Sequence, residues 1–291
     1  MSATDGSVNM QDAAAVCDVL GRAADVMLNL DNRTGSTVDL PKQGRLLVTG
    51  DVHDHRENMQ KILKLAKLEK GDDHHLVVQE MIHGERLVNG MDFSYRALVR
   101  IGLLMLEYPG RVHMLLANHE LAQVNGEGIS KDAVNVVEVF DAGIDYVFGE
   151  DAEKVHAAIE RFVHALPLAV RCENGLMCLH SLPAASRRET FEPDLLERQL
   201  TDADRHAPTG GAYLLVWGRN FDPEWTGELA ERWGCTTFVV GHQPAEFGYE
   251  LEGDRVLIIN SDHEHGVALP VDLSKPADRD QLVDQLVPLG A

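Results

Sequence analysis

The chain has 291 residues, with 26 Lys plus Arg against 47 Asp plus Glu and a formal net charge of -21. That balance argues against non-specific binding to nucleic acid or anionic membrane, both of which rest on basic patches. A hydrophobic content of 44% is enough for a large core and excludes an acidic disordered tail as the main character of the chain.

A leading helix is predicted over residues 12–30, where Val16, Leu20, Val26 and Leu30 recur at helical spacing among alanines. A polar, turn-rich stretch at 31–44 reads as a linker. The first strong strand, 45–49, runs into Gly50-Asp51. A helix over 56–68 follows, with Ile62, Leu65 and Leu68 on one face, and Gly71-Asp72-Asp73 breaks it. Strand 76–78, helix 94–107 and strand 112–116 come next, and the alternation predicts an α/β sheet with parallel neighbours. Beyond residue 165, strands are expected at 168–172, 176–180, 214–217, 237–240, 256–260 and 267–271. Helices are expected at 151–165 and 223–233, with a closing amphipathic one at 275–286.

Cys17, Cys172, Cys178 and Cys235 form no C-x-x-C pair and sit in apolar stretches, as buried free thiols of a reducing compartment do. The N-terminus shows no basic segment followed by an apolar run, and the longest apolar runs are too short to span a bilayer, so a cytoplasmic protein is the expectation.

Chemistry gathers where the strands end. Strand 45–49 leads to Asp51 and His53, strand 76–78 to Glu80 and His83, and strand 112–116 to Asn118, His119 and Glu120. The later strands lead to His180 and to His242. In open α/β sheets that carboxyl edge is where ligands sit. Oxygen and imidazole donors without thiolate suit Mn, Fe or Zn in a catalytic site, and a carboxylate at Glu80 could bridge two ions. No G-x-S-x-G elbow, P-loop or H-E-x-x-H is present.

The order Gly50-Asp51-Val52-His53, Glu80 with His83, Asn118-His119-Glu120, His180 and His242 resembles the calcineurin-like metallophosphoesterase superfamily. Within it, the run from His242-Gln243 to Gly248-Tyr249-Glu250 is similar to the phosphoprotein phosphatase family of Ser/Thr phosphatases and its bacterial relatives. The likeness covers residues 45–271 and implies two packed mixed β-sheets flanked by helices, a four-layer α/β/β/α sandwich. Residues 1–44 would be an N-terminal helix and linker, and 45–291 the catalytic domain with its C-terminal helix.

The resemblance implies two divalent or mixed-valence metal ions (Mn, Fe or Zn). Asp51, His53 and Glu80 would hold one, and Glu80, Asn118, His180 and His242 the other. It implies direct attack of a metal-bridging hydroxide on a phosphate monoester, with His119 as proton donor oriented by His83. Arg219 and Arg86 are the candidate phosphate-binding residues, since a guanidinium fork matches two phosphoryl oxygens. The implied partner is a phosphorylated protein or small molecule, not nucleic acid or membrane. A phosphodiesterase or dinucleotide pyrophosphohydrolase, or a catalytically silent module binding metal and phosphate, are the alternatives.

The sequence departs from the family pattern in its second motif, where Glu80, His83 and Gly84 stand for Asp, Asp and Arg. Asp54 and His55 replace Gly and Gln, and Ala117 replaces a glycine. His263 and His265 are candidates for a place near the substrate. His74 and His75 are expected to be solvated on the opposite edge.

Overall fold

The computed structural model describes residues 8–131 and 133–290. In chain order the elements are α1 (Ala13–Leu28), β1 (Arg33–Thr34), β2 (Thr37–Leu40), β3 (Arg45–Asp51), α2 (Arg56–Ala66), β4 (His74–Gln79), α3 (Tyr95–Glu107) and β5 (Val112–Leu115). There follow α4 (Asn118–Asn125), β6 (Ser130–Lys131), β7 (Val134–Asn135), α5 (Val136–Phe148), α6 (Ala152–His164), β8 (Ala169–Cys172) and β9 (Leu176–Leu179). The remainder is α7 (Asp202–Arg205), α8 (Gly211–Val216), α9 (Pro223–Trp233), β10 (Thr237–Val240), β11 (Tyr249–Glu252), β12 (Val256–Ile259), β13 (Val267–Asp272), α10 (Arg279–Val283) and β14 (Val287–Pro288).

Two mixed sheets carry the fold. One has seven strands in the order β1-β2-β8-β9-β10-β12-β11, the other five in the order β14-β13-β3-β4-β5. Strands β3, β4 and β5 are parallel neighbours, and so are β9, β10 and β12. Both sheets therefore present the carboxyl ends of several strands together.

The period-2 alternation of strand side chains builds two cores. Leu46, Val48, Val77 and Leu115 of the smaller sheet meet Val38, Val170, Val239 and Leu257 of the larger one. Leu47, Leu76, Val78 and Met114, on the other face, lie in a core with Leu20 of α1, Leu98 of α3 and Phe162 of α6. This is the expected two-sheet sandwich with helical outer layers. Among the described residues, no helix is long and apolar enough to cross a membrane.

Several segments differ from the sequence expectation. The stretch 31–44 is not a bare linker, since β2 pairs in parallel with β8 from Thr37↔Ala169 to Leu40↔Cys172. Its alternation, Val38 and Leu40 inward, is too short to register as a pattern. Residues 214–217 are not a strand: most lie in α8, where Leu214, Leu215 and Val216 are buried by a helix, a choice periodicity cannot make over four residues. The closing helix shrinks to α10, and the chain then turns back as β14 against β13. Helices α4 and α5 were not expected, because α4 starts directly in the motif at Asn118.

The sheets meet where β3 ends. Asp51 bridges Asn260 in parallel, and the Gly50 amide donates to Ser261 Oγ at 3.0 Å. A Cβ added to Gly50 would run into the Ile259 carbonyl. Gly50→Ala should therefore destabilise the fold by about 3 kcal/mol, the upper range for overpacking, read as a lower chemical-denaturation midpoint. Unchanged stability would mean the junction yields more readily than its packing indicates.

Candidate metal centre

Each strand end that was expected to deliver a ligand carries a buried polar side chain. Asp51, His53, Glu80, His83, Asn118, His119, His180 and His242 are all buried. The loops that carry them are tied to one another: the amides of Val52 and His53 donate to the Glu80 carbonyl at 3.1 and 2.8 Å, and the Gly241 amide donates to the His180 carbonyl at 3.0 Å. His53, Glu80, His83 and His242 all have left-handed backbones, with φ of 45°, 47°, 61° and 66°. Non-glycine residues hold such conformations at about 1–3 kcal/mol each, and they concentrate at functional sites.

Glu80 is the hub. Its Oε1 lies 2.9 Å from His53 Nε2 and 3.7 Å from His119 Nε2, and its Oε2 lies 2.8 Å from His180 Nε2. His53, Glu80 and His119 form one group whose donor atoms lie within 4.8 Å of one another, and Glu80, His180 and His242 form a second. Asn118 Oδ1 completes the second, 2.6 Å from His180 Nε2 and 2.9 Å from His242 Nδ1.

The donor set fits metal ions. His180 Nδ1 faces Gln79 Oε1 at 2.7 Å, and Gln79 Nε2 donates to the Thr49 carbonyl, so Gln79 Oε1 must accept from His180 Nδ1–H. Burial lowers His180, but Glu80 and Asp51 raise it above the usual imidazole range; in the neutral form that a ligand needs, its Nε2 lone pair faces two oxygens, Asn118 Oδ1 and Glu80 Oε2. The second of these receives no hydrogen bond among the described residues. Asn118 Oδ1 accepts from His242 Nδ1–H, because Arg219 donates to His242 Nε2, and the buried acceptors that remain at His180 Nε2 and Glu80 Oε2 suit a cation. His53 is arranged likewise: Nδ1 donates to the Ile82 carbonyl at 2.6 Å and turns Nε2 toward Glu80.

Asp51 stands beside these groups. Both of its carboxylate oxygens accept from the His242 amide, at 3.1 and 2.9 Å, and Oδ1 lies 3.7 Å from His180 Nδ1. Gly241 permits the approach, since a Cβ there would strike Asp51 Oδ1. His119, expected as a proton donor, shares the first group with His53 and Glu80. Arg219 reaches the site, its Nε donating to His242 Nε2 at 3.2 Å. Arg86 is exposed beyond Gly84, and no hydrogen bond among the described residues joins it to the cluster. His263 faces the Ala245 carbonyl at 3.1 Å, and His265 is exposed. His75 departs from expectation: it is buried and stacks on His113 with ring centroids 5.9 Å apart.

Of the supporting side chains, Glu120 stands in the third motif, whereas Gln79, Gln123 and Asp141 carry no motif signal. Gln79 orients His180, as described. Glu120 Oε1 accepts from the Met81 and Ile82 amides at 2.7 and 3.2 Å, which fixes the loop that presents Glu80. Gln123 binds His83, and Asp141 binds Gln123.

Burial would raise the Glu80 carboxyl, but His119, His180 and His53 around it hold it well below the usual carboxylate range. Burial and the charge of Glu80 push Asp51 up to about 7. His53, which burial would lower, is raised to about 9 by Glu80 and Asp51. Burial, with neighbouring imidazoles, lowers His83 and His242 to about 3, and burial lowers His119 to about 4. Metal binding needs deprotonated ligands, so Asp51 and His53 must release protons, whereas His242, already neutral, must move its proton from Nδ1 to Nε2, which displaces the Arg219 hydrogen bond. Affinity should consequently rise with pH, by at least about tenfold between about pH 6 and about pH 8. Titration of the metal-free protein with Zn at the two pH values checks this, and equal affinities would remove Asp51 and His53 from the ligand set.

The sequence profile described as calcineurin-like phosphoesterase matches residues 44–255. Among solved structures, a protein serine/threonine phosphatase from Saccharomyces cerevisiae is similar at 14% identity, over 96% of this chain and 94% of that one, with a TM-score of 0.68. A cold-active protein-tyrosine phosphatase from a psychrophilic Shewanella is similar at 14% identity, over 86% and 80% of the two chains, with a TM-score of 0.57. At such identities the likeness is one of fold. No curated protein matches the chain.

Proposed function

Because the chain belongs to the calcineurin-like phosphoesterase family, we propose that it is a phosphatase hydrolysing phosphate monoesters with two bound metal ions. The observation that carries this is Glu80, one buried carboxylate shared by two groups of imidazoles. When bound, the ions supply Lewis acidity that lowers the pKa of coordinated water and offsets charge on the phosphoryl oxygens. In this reading Asp51, His53 and Glu80 hold one ion, and Glu80, Asn118, His180 and His242 the other. Manganese is the proposed native metal, in keeping with a site of oxygen and nitrogen donors.

His119 gives its Nε2 proton to the leaving alkoxide, and His83 orients it. Arg219 takes two phosphoryl oxygens in its planar fork once His242 turns to a metal. The neighbours in fold are named for Ser/Thr and for Tyr substrates, which supports the shared phosphomonoester chemistry and favours no one side chain. The net charge of -21 favours phosphopeptides with basic flanks over polyanions.

The test is to reconstitute the full chain with Mn, count bound metal by atomic emission, and compare an aryl monoester with a bis-aryl diester. Two ions per chain and faster monoester turnover are expected. Fewer than one ion with no turnover, or faster diester cleavage, would overturn the proposal.

A further inference from the structure

The second motif puts His83 where an acidic residue would stand, so among the described residues the partner at His119 Nδ1 is an imidazole and not a carboxylate. The geometry supplies a substitute two residues further out. His83 Nδ1 faces His119 Nδ1 at 2.9 Å, His83 Nε2 faces Gln123 Oε1 at 2.8 Å, and Gln123 Nε2 donates to Asp141 Oδ1 at 2.7 Å. We infer that Asp141 and Gln123 are positioning residues that fix the tautomers of His83 and His119, so that His119 exchanges its proton at Nε2. The inference rests on the proposed phosphatase reading for its catalytic consequence, but not for its structural content.

The direction of the chain follows from its outer end. A carboxylate only accepts, so the Gln123 amide must turn its NH2 to Asp141 and its oxygen to His83. That oxygen requires Nε2–H on His83. His83 is 1% exposed and hydrogen-bonds no carboxylate among the described residues, which keeps it neutral, so its Nδ1 is a lone pair. A lone pair 2.9 Å from His119 Nδ1 requires Nδ1–H there. His119 Nε2 is then the free nitrogen, and it is the one turned toward Glu80 Oε1, at 3.7 Å. His119 keeps Nδ1–H in both charge states, so proton gain and loss occur only on the face that looks into the cluster. Asp141 is partly exposed; burial raises its carboxyl, while His156, with Nδ1 3.7 Å away, and the Gln123 hydrogen bond favour its charged form.

Removing the carboxylate should let the whole chain reverse. In Asp141→Asn the new side chain can donate to Gln123 Oε1. The amide then flips, His83 takes Nδ1–H, and His119 is left with its proton on Nε2 in the neutral form. Gln123→Leu cuts the chain outright. In the double variant Gln123→Glu with Asp141→Asn, a carboxylate at 123 accepts from His83 Nε2–H and the amide at 141 donates to it, so the original direction is restored.

Nitrogen-15 NMR of histidine-labelled, metal-free full chain reads the tautomers directly. His83 should be Nε2–H and His119 Nδ1–H in the parent protein and in the double variant. Mixed tautomers are expected in Asp141→Asn and Gln123→Leu. In the Mn-loaded enzyme, the two single variants should lose about tenfold in kcat on an alkyl phosphate with a poor leaving group, as outer-shell partners do. They should lose little on a dinitrophenyl ester, and the double variant should recover. Nδ1–H on His83 in the parent protein, or tautomers unmoved by either single variant, would overturn the inference. Equal losses on both substrates would do the same, as a merely structural role predicts. If the parent protein turns over neither ester, the phosphatase reading fails while the tautomer measurement still decides this one.

Discussion

Glu80→Gln should strip the protein of its metal and lower kcat by at least about 10³-fold, the scale for loss of a central electrostatic group. Glu80 gives one oxygen to the His53 and His119 side and the other to His180. Glutamine offers one oxygen and one NH2. Whichever way it turns, an N–H faces a ring nitrogen that must act as a ligand. The backbone gains nothing from the change, since either side chain must sit at φ 47°. His53 should also relax downward from about 9, because Glu80 is the strongest influence raising it. Atomic emission on the reconstituted variant should find fewer than one ion per chain. Glu80→Asp, the family's own choice, should keep partial metal and partial rate. Full metal content in Glu80→Gln with more than a tenth of the parent rate would end the bridging assignment.

What the sequence made legible was the edge of the sheet. A buried strand announces itself as a short apolar run, and a polar residue just past it is placed at the carboxyl end without knowledge of tertiary structure. Asp51, Glu80, Asn118, His180 and His242 were locatable for that reason. The supporting residues have no such address. Gln79 reads as the last residue of β4, and nothing in its neighbours says that its amide turns to His180 across 101 positions. Gln123 and Asp141 sit on α4 and α5, where their side-chain directions depend on how two unforeseen helices pack. The left-handed backbones were illegible too. Glycine and asparagine usually mark such positions, whereas here histidine and glutamate hold them under tertiary constraint.

Arginine was the weakest part of the reading for a physical reason. A guanidinium lies several bonds from its Cα, so sequence proximity to a motif says little about where its fork arrives. Arg86 is near Glu80 in the chain yet exposed, while Arg219, distant in sequence, bonds His242. The strand assigned to 214–217 and the helix found there place Arg219 at the same loop by different routes, so its arrival did not depend on the element type.

His119→Asn separates the two roles its position allows. His119 belongs to a group with His53 and Glu80 whose donor atoms lie within 4.8 Å of one another, as a ligand would, and its Nδ1 is held by His83, as a proton donor's would be. Glu80 approaches no closer than 3.7 Å to His119 Nε2, against 2.9 Å to His53 and 2.8 Å to His180. That longer reach, with His83 fixing the ring from behind, favours the donor. As a donor, His119 matters in proportion to the basicity of the leaving oxygen. The variant should lose about 10²–10⁴-fold in kcat on an alkyl phosphate, the range for general acid catalysis. It should lose less than about tenfold on a dinitrophenyl ester, whose oxygen departs without help. Metal content should remain at two ions per chain. If instead the variant drops to one ion and slows equally on both esters, His119 is a ligand, and the proton for the leaving group comes from elsewhere.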